Sequence, residues 1–207
     1  MGRGALIIFE GCDKSGKSTQ CRKLVEFLNN NGHKAEQGRF PERSTAIGNV
    51  INSYIENKAD LHDKAVHLLF SANRWELVNQ MKETLETGTT LVIDRYAYSG
   101  VAFTSAKGLD FDWCKSCDRG LPSPDQVFYL DIPVDEASTR GDFGGKRYEV
   151  SSFQKAVQEK FLQLKEDNWV TLDARRSIDD LHQIISQHTL TVIEKKSTLP
   201  LQMGLFC

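Results

Sequence analysis

Four short apolar runs divide the chain, and the stretches between them are long enough to hold helices. The runs are GALIIFE (4–10), TTLVID (89–94), QVFYLD (126–131) and NWVTLD (168–173), and KAEQGRF (34–40) is a weaker fifth candidate. The runs are mostly continuous rather than alternating, which is typical of strands buried on both faces of a parallel sheet. The alternation of strands and helices predicts an α/β fold, a doubly wound sheet with helices on both faces.

The first helix and the ligand-binding edge of this sheet can both be located in the sequence. Apolar residues recur at helical spacing after the first run, at Cys21, Leu24, Val25 and Leu28, and residues 29–32 (NNNG) supply a C-terminal stop. Ligands of doubly wound sheets bind beyond the carboxyl ends of the strands. Polar residues follow the runs at 11–18, 40–43 and 94–95. We therefore expect these three segments to form the functional site.

Residues 11–18 read GCDKSGKS, a complete match to G-x-x-x-x-G-K-[ST] between a predicted strand and a predicted helix. Glycines let the backbone curl so that its N–H groups converge on phosphate, and the helix N-terminus adds a positive dipole. Lys17 is then expected to reach the β- and γ-phosphates, and the Ser18 hydroxyl to complete a Mg²⁺ shell. The motif predicts binding of a nucleoside triphosphate.

Signatures of other phosphate-loop proteins are missing. A GTPase should carry N-K-x-D for guanine, and no such run occurs. DFGG (142–145) matches D-x-x-G, but no predicted strand supports it, so we interpret the match as chance. Motor or transporter signatures are also missing.

Two segments predict a second ligand that carries a phosphate and a base. FPERST (40–45) offers Arg43 as a bidentate phosphate fork, although an ordinary exposed loop arginine fits these six residues equally well. In HLLFSANRWE (67–76), Phe70 and Arg74 share one helical face, so a ring that stacks on a base lies beside a donor to its carbonyl groups. The alternative for that pair is a core phenylalanine beside a surface arginine.

Charged residues also mark the end of a buried strand and a glycine-rich segment. In DRYAYSG (94–100), a buried carboxylate at Asp94 is costly unless it orients Mg²⁺ or its water, and Arg95 is expected to hold a phosphate. The alternative is an Asp94–Arg95 ion pair at the strand end. RGDFGGKRYE (140–149) predicts a lid that closes over the triphosphate and excludes water, the alternative being a solvated loop.

Composition narrows the class of protein further. The 207 residues carry a net charge of −2 and 40% hydrophobic residues, so nothing indicates a nucleic-acid partner. The apolar run at 5–9 is far too short for a membrane span, and five cysteines without a framework spacing fit a reducing compartment. We expect a cytoplasmic protein, with a nuclear or mitochondrial fraction as an alternative. The lone C-x-x-C at 114–117 favours no zinc or redox role.

Several of these motifs together resemble the thymidylate kinases of eukaryotes and poxviruses: EGCDKSGKST, RFPERST, LLFSANRWE, IDRYAYSGVAF, GLPSPD and the lid sequence RYE. The resemblance implies a five-stranded P-loop NTPase fold, one domain over residues 1–207 and a lid at about 133–155. It also implies a homodimer that uses Mg²⁺ and transfers the γ-phosphoryl group of ATP to dTMP, giving dTDP and ADP. Alternatives are an enzyme of this fold with a different acceptor, or a nucleotide-binding protein without activity.

The resemblance also implies roles for individual residues. Asp13 accepts the deoxyribose 3′-hydroxyl, and Arg176 lies beside the base of ATP. The acceptor-binding set is Asp13, Phe40, Arg43, Phe70, Arg74, Arg95, Ser99, Gly100, Phe103, Tyr148 and Gln154. The ATP-binding set is Gly11, Ser15, Gly16, Lys17, Ser18, Thr19, Arg140 and Arg176. The catalytic set is Asp13, Lys14, Lys17, Arg95 and Arg147, and the metal ligands are Ser18 and Asp94.

Lys14 departs from the pattern of many eukaryotic members, which place an arginine after the loop acid. A lysine provides a point charge without a planar fork, so bidentate clamping of the phosphoryl group from this position is lost. We therefore expect Arg147 in the lid to share the stabilisation of the transferred group.

Overall fold

A computed structural model describes residues 2–140 and 147–207. Its five strands confirm the predicted runs, including the weaker one: β1 Leu6–Glu10, β2 Ala35–Arg39, β3 Thr90–Asp94, β4 Gln126–Asp131 and β5 Trp169–Asp173. The strands form one parallel sheet in the order β2-β3-β1-β4-β5. β2 is polar because it is an edge strand, whose central residues are largely exposed.

Helices occupy the connections between the strands. Those in the described residues are α1 Lys17–Asn30, α2 Ala46–Ile55, α3 Asp63–Trp75, α4 Val78–Glu86, α5 Ala97–Ser105, α6 Phe111–Ser116, α7 Val134–Ala137, α8 Ser151–Gln163 and α9 Ile178–Lys196. The predicted stop of α1 is confirmed, since the helix ends at Asn30 and Gly32 adopts a φ of 82°. None of the helices in the described part of the chain is long and apolar enough to cross a membrane.

Apolar residues pack on both faces of the sheet because successive side chains of a strand point to opposite sides. In β1, Leu6 and Ile8 join the cluster beneath α4, α5 and α8, whereas Ile7 and Phe9 join the cluster beneath α1 and α9. α2 and α3 pack against each other through a third, smaller cluster. The doubly wound arrangement expected from the sequence is therefore confirmed.

The strand register brings the predicted site segments together. Phe9 of β1 lies opposite Asp94 of β3, and Arg39 of β2 lies opposite Asp94 from the other side. The three segments that follow these strands therefore begin side by side at the carboxyl edge of the sheet.

Candidate active site

Two glycines shape the loop between β1 and α1. Gly11 has a φ of 141°, and a Cβ at this position would lie 2.6 Å from the carbonyl oxygen of Leu130. Gly16 adopts a φ of 95° at the N-cap of α1, where no side chain caps the first backbone N–H groups. These groups and the helix dipole make the loop a site for anionic oxygen atoms.

Lys17 is buried inside this loop. Its Nζ donates to the carbonyl oxygens of Gly11 (3.1 Å) and Cys12 (2.7 Å) and to Ser15 Oγ (3.1 Å). Burial, aided by the positive charge of Arg95, lowers the pKa of Lys17 to about 8. A phosphate placed on the loop would favour the charged form of this lysine.

Ser18 and Asp94 adjoin the loop as an oxygen pair. The Ser18 hydroxyl donates to Asp94 Oδ2, and Asp94 is buried at the end of β3. A hydroxyl and a carboxylate oxygen are ligands that suit Mg²⁺ together with water and phosphate oxygens. The pair therefore fits a Mg²⁺ bound alongside a nucleotide. No group of three or more His, Cys, Asp or Glu side chains in the described residues is arranged to hold a metal by itself.

A pocket opens beside the loop, between the β2–α2 connection, α3 and α5. All the acceptor-binding residues expected from the sequence except Gln154 line it: Asp13, Phe40, Arg43, Phe70, Arg74, Arg95, Ser99, Gly100, Phe103 and Tyr148. Gln154 lies just behind, where its amide accepts from the Asp13 backbone N–H (3.1 Å) and donates to Asp13 Oδ2 (2.8 Å). The structure therefore brings the two predicted sites together at Asp13.

Arg95 joins the phosphate loop to this pocket. Its guanidinium donates to Asp13 Oδ1, to Ser99 Oγ (2.9 Å) and to the carbonyl oxygen of Gly11 (3.2 Å). Burial alone would lower the pKa of Arg95, but the carboxylates of Asp13, Asp94 and Glu10 raise it above its ordinary value. Arg95 is therefore a fixed cation, and it is paired with Asp13 rather than with Asp94 as the alternative interpretation required.

Lys14 and Arg95 share an unusual backbone conformation. Among the described residues that are not glycine, both belong to the few with positive φ, at 62° and 69°. Such conformations cost free energy and occur often at functional sites.

Two buried residues that the sequence interpretation missed support the pocket. Glu10 accepts hydrogen bonds from the backbone N–H groups of Tyr96 (2.8 Å) and Ser99 (3.1 Å), behind Arg95. Asn73 brackets the loop of Arg43, because it accepts from the Glu42 N–H (2.8 Å) and donates to the Glu42 carbonyl (3.0 Å). Both residues lie inside the motifs already singled out, but no local pattern indicates a long-range partner.

Phe70 and Arg74, the pair expected to bind a base, both line the pocket. Arg74 is only 2% exposed, which excludes the surface arginine of the alternative interpretation. Its guanidinium forms a bidentate ion pair with Asp118, a residue that the sequence interpretation also missed. Phe70 lines the same pocket one helical turn away.

The lid prediction is covered only at its two flanks, because the glycines at 141, 144 and 145 lie outside the described residues. On one flank, Arg140 Nη2 donates to the carbonyl oxygen of Ala174 (2.9 Å), and the exposed Arg176 follows two residues later. On the other flank, Tyr148 stacks on Phe153 with ring centroids 5.5 Å apart. Arg140 and Arg176, two residues expected to bind ATP, therefore lie near the end of β5.

Arg147, which the resemblance makes a catalytic residue, has its hydrogen-bond partners outside the phosphate loop. Its guanidinium donates to the carbonyl oxygens of Tyr54 (2.9 Å) and Ala59 (3.0 Å) and to Asp60 Oδ1 (2.6 Å). The guanidinium also lies over the Tyr54 ring, 4.0 Å from its centroid. These contacts hold Arg147 at the end of α2 and the connection that follows it.

A phosphate loop on the central strand, facing a pocket for a second ligand with a phosphate and a base, defines a P-loop kinase of nucleoside monophosphates. Residues 9–185 match the family model described as thymidylate kinase. The chain belongs to the thymidylate kinase family, whose members are enzymes that transfer a phosphoryl group from ATP to dTMP.

Individual relatives resemble the chain over nearly its full length. It is 52% identical to the thymidylate kinase of Homo sapiens over 203 residues, covering 96% of each chain. It is 50% identical to the thymidylate kinase of Danio rerio over 202 residues, covering 96% of this chain and 95% of the relative. Among solved structures, the thymidylate kinase of Candida albicans superimposes with a TM-score of 0.89 at 36% identity and covers 98% of this chain and 99% of the other.

Proposed function

We propose that this chain transfers the γ-phosphoryl group directly from ATP on the 11–18 loop to dTMP in the adjoining pocket. One observation above the others supports the placement of ATP on the loop and dTMP in the pocket: Arg95 contacts Gly11 of the phosphate loop and also lines the acceptor pocket. The acceptor phosphate would thus meet the γ-phosphate at Arg95.

In the proposed reaction, a phosphate oxygen of dTMP attacks the γ-phosphorus of ATP while the bond from that phosphorus to the β–γ bridging oxygen breaks, and ADP leaves with this oxygen. The nucleophile is already an anion, so no general base is required, and the rate depends on alignment and charge stabilisation. Lys17, Arg95 and Lys14 supply positive charge. Mg²⁺, held by Ser18 and Asp94, would neutralise the β- and γ-phosphates when bound. Arg147 completes the proposed catalytic set and would add positive charge at the transferred group when it leaves Tyr54, Ala59 and Asp60.

The acceptor is held at three points in this proposal. Arg43 and Arg95 bind the phosphate of dTMP, and Asp13, supported by Gln154, accepts its 3′-hydroxyl. Phe70 stacks on thymine, and Arg74 donates to a base carbonyl. Phe40, Ser99, Gly100, Phe103 and Tyr148 complete the walls of the pocket.

Two substitutions test these roles. Arg95→Ala should lower kcat by at least about 10²-fold, since it removes a preorganised charge at the transferred group. Arg74→Ala should raise KM for dTMP and leave KM for ATP unchanged. Arg22→Ala, an exposed position on α1, is the control and should change neither. Near-normal turnover of Arg95→Ala, or equal weakening of both substrates by Arg74→Ala, would refute the respective assignment.

A panel of acceptors tests the substrate itself. The related thymidylate kinase of Candida albicans is described as having broad substrate specificity. For this chain we expect dTMP to be preferred, with dUMP poorer by at most about 10²-fold, because one methyl contact discriminates weakly. The rate of ADP release, measured with dTMP, dUMP, dGMP and AMP as acceptors, gives kcat/KM for each nucleotide. A higher kcat/KM for a nucleotide other than dTMP would overturn the assignment.

Three wider features belong to the same proposal. The chain would act as one domain over residues 1–207 with a lid at about 133–155, in the cytoplasm. It would form a homodimer through the exposed apolar residues Val50 of α2 and Leu68 and Trp75 of α3. Sedimentation of the wild type beside Leu68→Asp tests the dimer, since a monomeric wild type would contradict it.

A further inference from the structure

Asp118 forms a buried ion pair with Arg74 just outside the acceptor pocket. Arg74 Nε donates to Asp118 Oδ1 (3.0 Å), and Arg74 Nη2 donates to Oδ2 (2.6 Å). The side chains are 2% and 0% exposed. Arg74 lines the pocket whereas Asp118 does not, so any effect of Asp118 on a ligand passes through Arg74.

Asp118 is itself held from two sides. On α3, Ser71 Oγ donates to Asp118 Oδ1 (2.9 Å) and to the carbonyl oxygen of Cys117 (2.8 Å). On the other side, the carboxyl-terminal segment pairs with residues 120–121: Gly120 N–H donates to the carbonyl of Leu205, and Leu205 N–H donates to that of Leu121, both at 3.1 Å. Ser71 therefore fixes the carboxylate relative to α3, and the carboxyl-terminal segment fixes the backbone that follows it.

Gly100 closes the opposite side of the guanidinium. A Cβ at this position would lie 2.9 Å from Arg74 Nη2 and 3.4 Å from Cζ, so α5 lies directly against the fork. In the described residues, the hydrogen bonds of the Arg74 side chain come from Nε and Nη2 and go to Asp118. Nη1 and the second N–H of Nη2 are thus the donors that remain for a ligand in the pocket.

The Arg74–Asp118 ion pair also determines which chemical group can bind at the Arg74 end of the pocket. An unpaired buried guanidinium attracts phosphate, since its fork matches two oxygen atoms. Paired with Asp118, the guanidinium adds no net charge and offers only N–H groups, which suit the carbonyl oxygen of an uncharged base.

We propose that Asp118 is a specificity-determining positioning residue that aligns Arg74 for a base carbonyl and prevents a phosphate from binding at this end of the pocket. The proposal rests on the proposed function, in which Arg74 binds the base.

Asp118→Asn, which removes the charge and keeps the shape, tests the proposal. KM for dTMP should rise about 10-fold or more, because a charge-assisted alignment is lost, while KM for ATP stays unchanged. Inorganic phosphate should become a competitive inhibitor against dTMP at concentrations that do not affect the wild type. A merely structural role would not produce this inhibition. The matched control is Asp112→Asn, an exposed position on α6, which should behave as wild type.

A double-mutant cycle with Arg74→Ala separates this inference from the proposed function. If Asp118 acts through Arg74, Asp118→Asn should raise KM for dTMP no further in the Arg74→Ala background. An Arg74→Ala variant with normal KM for dTMP would refute the base-binding role itself. If Arg74→Ala weakens dTMP binding but Asp118→Asn does not, or if the two effects multiply, only the inference about Asp118 is refuted.

A second variant covers the case in which Asp118→Asn does not fold. Asp118→Glu keeps the charge and displaces the carboxylate by one methylene group. It should raise KM for dTMP without phosphate inhibition, and an unchanged KM would overturn the proposal.

Discussion

Gly48 presses the first turn of α2 against the loop that carries Arg43. A Cβ at this position would lie 1.8 Å from the carbonyl oxygen of Glu42 and 2.8 Å from Arg43 Cα. Non-bonded carbon and oxygen atoms need about 3.3 Å or more, so in Gly48→Ala the loop must withdraw by about 1.5 Å. The same carbonyl accepts a hydrogen bond from Asn73 at 3.0 Å, which this movement would break.

The expected consequence is a selective loss at the acceptor site. A displacement of this size moves Arg43 away from the dTMP phosphate, and a misplacement of about 1 Å can cost about 10²-fold in rate. We therefore expect kcat/KM for dTMP to fall about 10²-fold in Gly48→Ala. The dissociation constant of ATP should stay unchanged, because the three atoms nearest to the new Cβ belong to Glu42 and Arg43 and not to the 11–18 loop.

The free energy of unfolding provides a second test, because an ordinary helical Gly→Ala change and an overpacked one alter it in opposite directions. Replacing a helical glycine by alanine ordinarily stabilises by about 0.5–1 kcal/mol, whereas overpacking destabilises by about 1–3 kcal/mol. Steady-state kinetics and urea unfolding should be measured beside Asn49→Ala, the next and exposed residue of α2, as the control. A Gly48→Ala protein that is more stable than the wild type and has normal kcat/KM for dTMP would refute the reasoning.

Two further predictions concern buried groups outside the pocket. Arg3→Ala leaves Asp125 buried without its bidentate partner at 2.7 Å and should lower the free energy of unfolding by about 3–5 kcal/mol, against less than about 1 kcal/mol for Lys23→Ala, whose partner Asp179 is exposed. A loss no larger than that of Lys23→Ala in urea unfolding would contradict this. Burial raises the pKa of the Cys12 thiol to about 11, so its reactive thiolate accumulates only above that pH. Iodoacetamide at pH 8 should therefore label the exposed Cys207 well before Cys12, and equal rates by mass spectrometry would count against the burial argument.

Local sequence patterns predicted much of the fold and part of the candidate site. The continuous apolar runs located four of the strands, the weaker candidate at 34–40 located the polar edge strand β2, and the glycine and lysine spacing located the phosphate loop. The four-residue spacing of Phe70 and Arg74 placed both residues on one wall of the same pocket. These features depend on residues close together in the chain, where backbone geometry alone relates spacing to position.

What the sequence by itself determined was therefore the set of elements and the chemistry at their ends, whereas the tertiary structure decided the partners. Arg74 lies 44 residues before its partner Asp118, and Arg95 lies 82 residues after its partner Asp13. Local spacing in the sequence therefore predicts neither ion pair. Arg147 depends on the tertiary structure in the same way, because the sequence assigned it only to the lid segment whereas its hydrogen bonds attach it to the end of α2. The physical reason is that a charged side chain takes the partner that the packing of distant elements brings within reach, and only the folded chain specifies that packing.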